Sequence, residues 1–140
     1  MKNTKYRWIV HVLFVIYMGV LFRLTLFRST PQRELNWHLF REHFRFLKNH
    51  SWWHFLYLFG GNIAAFIPFG AYLGYREKKI IPTVIFGFLL SLFIETMQYI
   101  WSVGVSEIDD LILNTLGALI GVLVVKALQK KFVGKSSQTT

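Results

Sequence analysis

Glu95 and Gln98 lie one helical turn apart, and Asp109, Asp110 and Asn114 fall within six residues of one another. Carboxylates and carboxamides at these spacings can do three kinds of work. Two carboxylates in different environments, one neutral and one ionised, can serve as general acid and base, which makes Glu95, Asp109 and Asp110 the candidate catalytic residues. The same carboxylates can hold a divalent cation for phosphoryl chemistry. A mixed set of acceptors and amide donors can instead orient a polar headgroup. The chain shows no obvious nucleophile, no glycine-rich phosphate cradle and no His/Glu zinc motif. The balance favours binding over catalysis, and the pattern implies neither a metal nor a cofactor.

The elements that must position these groups are membrane spans. Of the 140 residues, 54% are hydrophobic, and the mean hydropathy is +0.40. This is too apolar for an ordinary soluble domain, so an all-α integral membrane protein is expected, one domain over 1–140 with a core of about 8–128. The four apolar stretches are 8–27, 55–75, 80–101 and 108–128. The first follows Lys2, Lys5 and Arg7 as a signal peptide would, but it is about 20 residues long and no A-x-A-like site follows, so a retained helix is expected. The second contains Pro68, which removes a backbone donor and predicts a kink over residues 64–68. Pro82 sits in the first turn of the third, where proline is harmless. About six residues join the third to the fourth, which predicts an antiparallel hairpin. There is no cysteine.

Four spans place both termini on one side. Ten Lys and Arg residues flank the spans on that side, against five in residues 28–54, so the termini are expected in the cytoplasm. The net charge of +9 fits basic loops facing anionic lipid rather than nucleic acid, because it is split among separate segments. The tail 129–140 reads as basic, polar and disordered. In the outer loop, Trp37, Phe40, Phe44 and Leu47 recur on one helical face, predicting an amphipathic interfacial helix between the first two spans. His50 and His54 have i, i+4 spacing, but no acidic or thiol partner lies beside them, so they read as incidental to interfacial aromatics.

At about 1.5 Å of rise per residue, the polar groups converge in depth. Asn114, Glu95 and Asn62 each lie roughly 10 Å from the outer ends of their spans, with Gln98 a turn higher and Arg23 nearer the surface. Ser91, Glu95, Gln98 and Ser102 share a face of the third span. Asp110, Asn114, Gly117 and Gly121 share a face of the fourth, and the Gly-x-x-x-Gly strip is expected to pack against the third. Ser106 with Asp109 fits a capping box. The expected ligand-binding set is therefore Arg23, Asn62, Glu95, Gln98, Asp110 and Asn114. A buried carboxylate there must be protonated or paired, with Arg23 as the partner suggested by depth. The alternative is that Arg23 snorkels outward while Glu95 and Gln98 join helices.

Three ordered stretches carry a family resemblance. FGGNIAAFIPFGAYLG resembles the N-x-x-x-F-x-P-x-G segment of VanZ-like proteins, SLFIETMQYIW their E-x-x-Q segment, and SEIDDLILNTLGALIG their D-D-x-x-x-N-x-x-G segment. The resemblance covers roughly 10–128 and falls on Asn62, Phe66, Pro68, Gly70, Glu95, Gln98, Asp109, Asp110, Asn114 and Gly117, and Gly121 continues the small-residue strip. The outer segment departs from it: relatives often carry N-L-x-P-F, where this chain has Asn36 to Phe40 without the proline. The resemblance implies a Gram-positive cell-envelope protein linked to teicoplanin and glycopeptide resistance. Together with the residues, it favours a non-enzymatic protein that binds membrane lipid headgroups or a lipid-linked cell-wall precursor in an outward-facing pocket, with segment 37–48 as a lid. The alternatives are an intramembrane enzyme acting on a lipid-linked phosphate through Glu95 and Asp109 or Asp110, and a proton-relaying transport subunit, for which a homodimer would be needed.

Overall fold

A computed structural model describes residues 4–26, 32–36, 48, 52–77 and 79–136. The elements are α1 (Thr4–Leu26), β1 (Gln32–Asn36), α2 (Trp52–Glu77), α3 (Ile80–Trp101), β2 (Val103–Glu107) and α4 (Ile108–Ser136). All four helices contain a stretch long and apolar enough to cross a bilayer: Arg7–Leu26, Phe55–Glu77, Ile80–Trp101 and Ile108–Lys131. The all-α, four-span architecture is borne out, and the third span has the predicted ends.

Side-chain contacts fix the topology. His11 meets Tyr72 and Tyr17 meets Ala65, so α1 and α2 run antiparallel. Asn114 meets Ser91 and Glu107 meets Glu95, the pattern of the expected α3–α4 hairpin. Thr25 meets Gln98, so α1 and α3 run the same way and finish at one end of the bundle, called here the loop end.

The loop end holds a feature the sequence did not suggest. The short α3–α4 connection is strand β2, paired in parallel with β1 from Gln32↔Val103 to Asn36↔Glu107. Parallel strands need a long crossover, and α2 with α3 supplies it. Ser102, expected on the polar face of α3, is instead its C-cap, in the left-handed conformation (φ 55°), with its N–H on the carbonyls of Gln98 and Tyr99. The amphipathic face expected over Trp37 to Leu47, and the His50 and His54 side chains, lie outside the described residues.

The tightest seam differs from the expected one. A Cβ on Gly121 would come within 2.6 Å of the Ala71 backbone nitrogen, and one on Gly117 would meet the backbone of Ile63. From the other side, a Cβ on Gly70 would press on the Ala118 backbone and one on Gly74 on Val122. The glycine strip of α4 therefore receives α2, not α3, because α2 brings its own Gly70-x-x-x-Gly74 to the same height. Toward α3 the close approach is made by Gly87 against Ala118. A second correction concerns the tail: α4 continues to Ser136, through Ala127, Leu128, Gln129, Lys130 and Lys131, all good helix formers. The helix α2 is continuous through Pro68, which is exposed. Tyr17 Oη donates to the Ala65 carbonyl, one residue from the carbonyl that Pro68 leaves without an N–H.

The outside of the bundle is apolar. Trp8, Trp53 and Ile81 are 70%, 83% and 72% exposed, an arrangement suited to lipid and not to water. Trp52, Trp53, Tyr57 and Trp101 crowd the loop end, as aromatic side chains do at headgroup level. Leu21, Leu26, Phe66 and Ile94 form a small apolar core between α1, α2 and α3.

Candidate functional site

The buried face of α3 is polar or small where a soluble helix would be apolar. It comprises Thr83, Gly87, Ser91, Glu95 and Gln98, with Ile94 beside them, while Leu92, Phe93 and Ile100 face outward. Lipid tails solvate leucine as well as a protein core does, so burial of apolar groups does not drive these helices together. Packing and hydrogen bonds do.

Along this face the contacts are made in pairs. Deepest, Asn114 Nδ2 donates to Ser91 Oγ at 2.9 Å, with both side chains buried. One turn toward the loop end, Glu95 Oε2 accepts from the backbone N–H of Glu107 at 3.0 Å. Glu95 is 6% exposed. Its acceptor sits where α4 begins, so the free amides and dipole of that helix end favour the carboxylate. Above it, Gln98 Nε2 donates to the Thr25 carbonyl at 3.2 Å and ties α3 to α1. On the other side of α4, Asn62 Nδ2 donates to Asp110 Oδ1 and ties α2 to α4.

Asn62 and Asp110 are thus in contact. Glu95 and Asn114 occupy the same α3–α4 seam, one turn of α3 apart, each with its own partner. Asp109 is the more buried of the two aspartates, at 3% exposed, while Asp110 is half-buried. Both lie in the first turn of α4, where the dipole favours negative charge. The capping hydroxyl expected from Ser106 lies outside the described residues, and Glu107 immediately precedes the helix. Arg23 is exposed in the last turn of α1, where a cation is favoured. Among the motif residues, Phe66 is buried in the core with Leu21, Leu26 and Ile94, and Gly70, Gly117 and Gly121 are the close-approach points described above.

Two participants were missed from sequence, and a third was seen on the polar face but left out of the binding set. Thr25 enters through its carbonyl and Glu107 through its amide, and backbone groups carry no side-chain signature. Ser91 was visible on the polar face, but a serine on a membrane helix is common enough that only its contact with Asn114 distinguishes it. One atom stands out: Gln98 Oε1 is buried and meets no donor among the described residues. A buried acceptor without a donor is costly, so it marks a place where a donor can be bound. No group of three or more His, Asp or Glu side chains with metal-ligand geometry occurs among the described residues.

Comparison with known proteins gives two matches. The VanZ/LLP1 family model matches residues 14–129. A 62-residue stretch is 40% identical to Protein VanZ of Enterococcus faecium, covering 43% of this chain and 38% of that protein's length. The matched stretch is therefore well under two thirds of the relative. No solved structure matches the chain.

Proposed function

The chain belongs to the VanZ/LLP1 family, and from that premise we propose that this multi-pass membrane protein binds a lipid headgroup or lipid-linked cell-wall component in its buried polar layer. The observation that carries the reading is the buried Gln98 Oε1, which meets no donor among the described residues and is set in a layer rich in acceptors. Glu95, Asp109 and Asp110 line the same end of the bundle, so the complementary ligand presents donors: an ammonium group or sugar hydroxyls. Arg23, at the rim, suits a phosphate on the same molecule. The excess of Lys and Arg beside the termini supports a cytoplasmic side for those ends, with the polar layer then toward the cell exterior. A protein that holds headgroups there alters what teicoplanin and related lipoglycopeptides meet at the membrane surface, and resistance follows from that.

Native mass spectrometry of the protein purified in gentle detergent tests the binding. A lipid that co-purifies with the wild type and is lost in Gln98→Leu, with the helices still folded, supports it. Turnover of an undecaprenyl-type phosphate that disappears in Glu95→Gln would transfer the site to the enzymatic alternative. Unchanged teicoplanin sensitivity on deletion and overexpression, with no bound lipid, sinks the proposal.

A further inference from the structure

At the opposite end of the bundle, a groove of about 560 Å³ opens between α1, α2 and α4. Leu13, Phe14, Tyr17, Pro68, Tyr72 and Val125 are among its walls, and no charged side chain lines it. It follows α1 from Tyr17 to Val10 and α2 from Pro68 to Tyr75, a length of about 10 Å at the helical rise. One side is open: Leu13 and Tyr75 are 59% and 43% exposed. The open side is the lipid-facing surface of the bundle.

The mouth of the groove is polar and has a fixed donor arrangement. Arg76 Nη1 lies 3.2 Å from His11 Nε2, and His11 Nδ1 lies 2.9 Å from Tyr72 Oη. A guanidinium only donates, so Nε2 is the acceptor and the imidazole proton sits on Nδ1. That proton goes to Tyr72 Oη, which leaves the Tyr72 O–H free to donate to a third group. Phe14 stacks on the Tyr72 ring at 3.6 Å and holds it in place. Arg76 gives one N–H to His11 and, being exposed, keeps others for an anion. Arg7, Lys79, Lys126, Lys130 and Lys131 lie at the same end. The acidic residue there is Glu77, the neighbour of Arg76 in sequence, and consecutive helical residues do not share a face.

We propose that this groove seats one acyl chain of an anionic phospholipid from the leaflet at the termini end, with the phosphate held by Arg76 and the Tyr72 hydroxyl. The apolar walls fit a chain, the open side lets it enter from the bilayer, and the donors at the mouth match a phosphate. The site is separate from the polar layer at the loop end and does not depend on what binds there.

The test is a competition between phosphatidylglycerol and phosphatidylcholine of identical acyl chains, read by native mass spectrometry on the full chain in mild detergent. One basic residue near anionic lipid is worth about fivefold, so the wild type should retain phosphatidylglycerol by at least that factor. Arg76→Gln should lower that ratio about fivefold, and Arg76→Lys should keep it. Leu13→Trp, on the open side where folding is not at risk, should reduce retention of both lipids together. Circular dichroism melting checks that each variant is folded. Equal retention of the two lipids by the wild type overturns the proposal. So does a preference that survives Arg76→Gln but disappears in the Lys130→Gln, Lys131→Gln double variant, or full retention in Leu13→Trp.

Discussion

Gly121→Ala adds one methyl group where α2 and α4 touch backbone to backbone. The new Cβ would lie 2.6 Å from the Ala71 nitrogen and 3.0 Å from the Gly70 carbonyl carbon, whereas ordinary contact begins at 3.4 Å. No flexible side chain can give way there, so the helices must part by about 1 Å, and a gap of that size forfeits a quarter to a half of each dispersion contact it touches. Overpacking of this kind costs about 1–3 kcal/mol. The seam also carries the Asn62–Asp110 bond, so part of the loss appears there. Gly61→Ala is the matched control: its Cβ would meet nothing within 4 Å, and alanine is the better helix former by about 0.5–1 kcal/mol. Reversible unfolding in mixed micelles, followed by far-ultraviolet circular dichroism, measures both. A Gly121→Ala protein within about 0.5 kcal/mol of wild type, or a Gly61→Ala protein equally destabilised, refutes the assignment of the α2–α4 seam.

Glu95→Ala leaves the Glu107 amide without its acceptor and should lose about 1–3 kcal/mol of stability, whereas Glu95→Gln keeps an oxygen for it and should lose less. Melting of the two variants in the same detergent checks the order. A double-mutant cycle on Asn62→Leu and Asp110→Leu should show a coupling of about 0.5–3 kcal/mol, and additivity of the two losses would mean the bond contributes nothing. Tyr17→Phe should destabilise by about 1 kcal/mol through the lost bond to the Ala65 carbonyl. Pro68→Ala restores an N–H for the Ala64 carbonyl and not for Ala65, so it should leave that difference unchanged when the two are combined.

The spans were legible because a bilayer imposes a length and a composition on any helix that crosses it, and both are properties of consecutive residues. Ile80 to Trp101 could be bounded from sequence to the residue. The polar layer was legible in depth only to within a turn: helical rise put Asn62 level with Glu95 and Asn114, whereas in the fold Asn62 meets Asp110, one turn higher on α4, and Asn114 meets Ser91. Direction around the helix axis was less secure. The strip Gly117-x-x-x-Gly121 announces that something packs closely, but not which helix. Only the tertiary structure, in which Gly70 and Gly74 of α2 stand at matching height, decided for α2 over α3.

Partners supplied by the backbone were out of reach altogether. Glu95 reads from sequence as a carboxylate seeking a cation. In the fold it accepts the amide where β2 gives way to α4, and every residue but proline has such an amide. The pairing of β1 with β2 was hidden for the same reason: a five-residue strand beside a parallel partner 71 positions away leaves no local period to read. Sequence by itself thus determined what crosses the membrane and, to within a turn, how deep its polar groups lie, since those depend on composition and rise. The tertiary structure decided which groups meet, since that depends on the rotation of each helix and on backbone atoms that every residue shares.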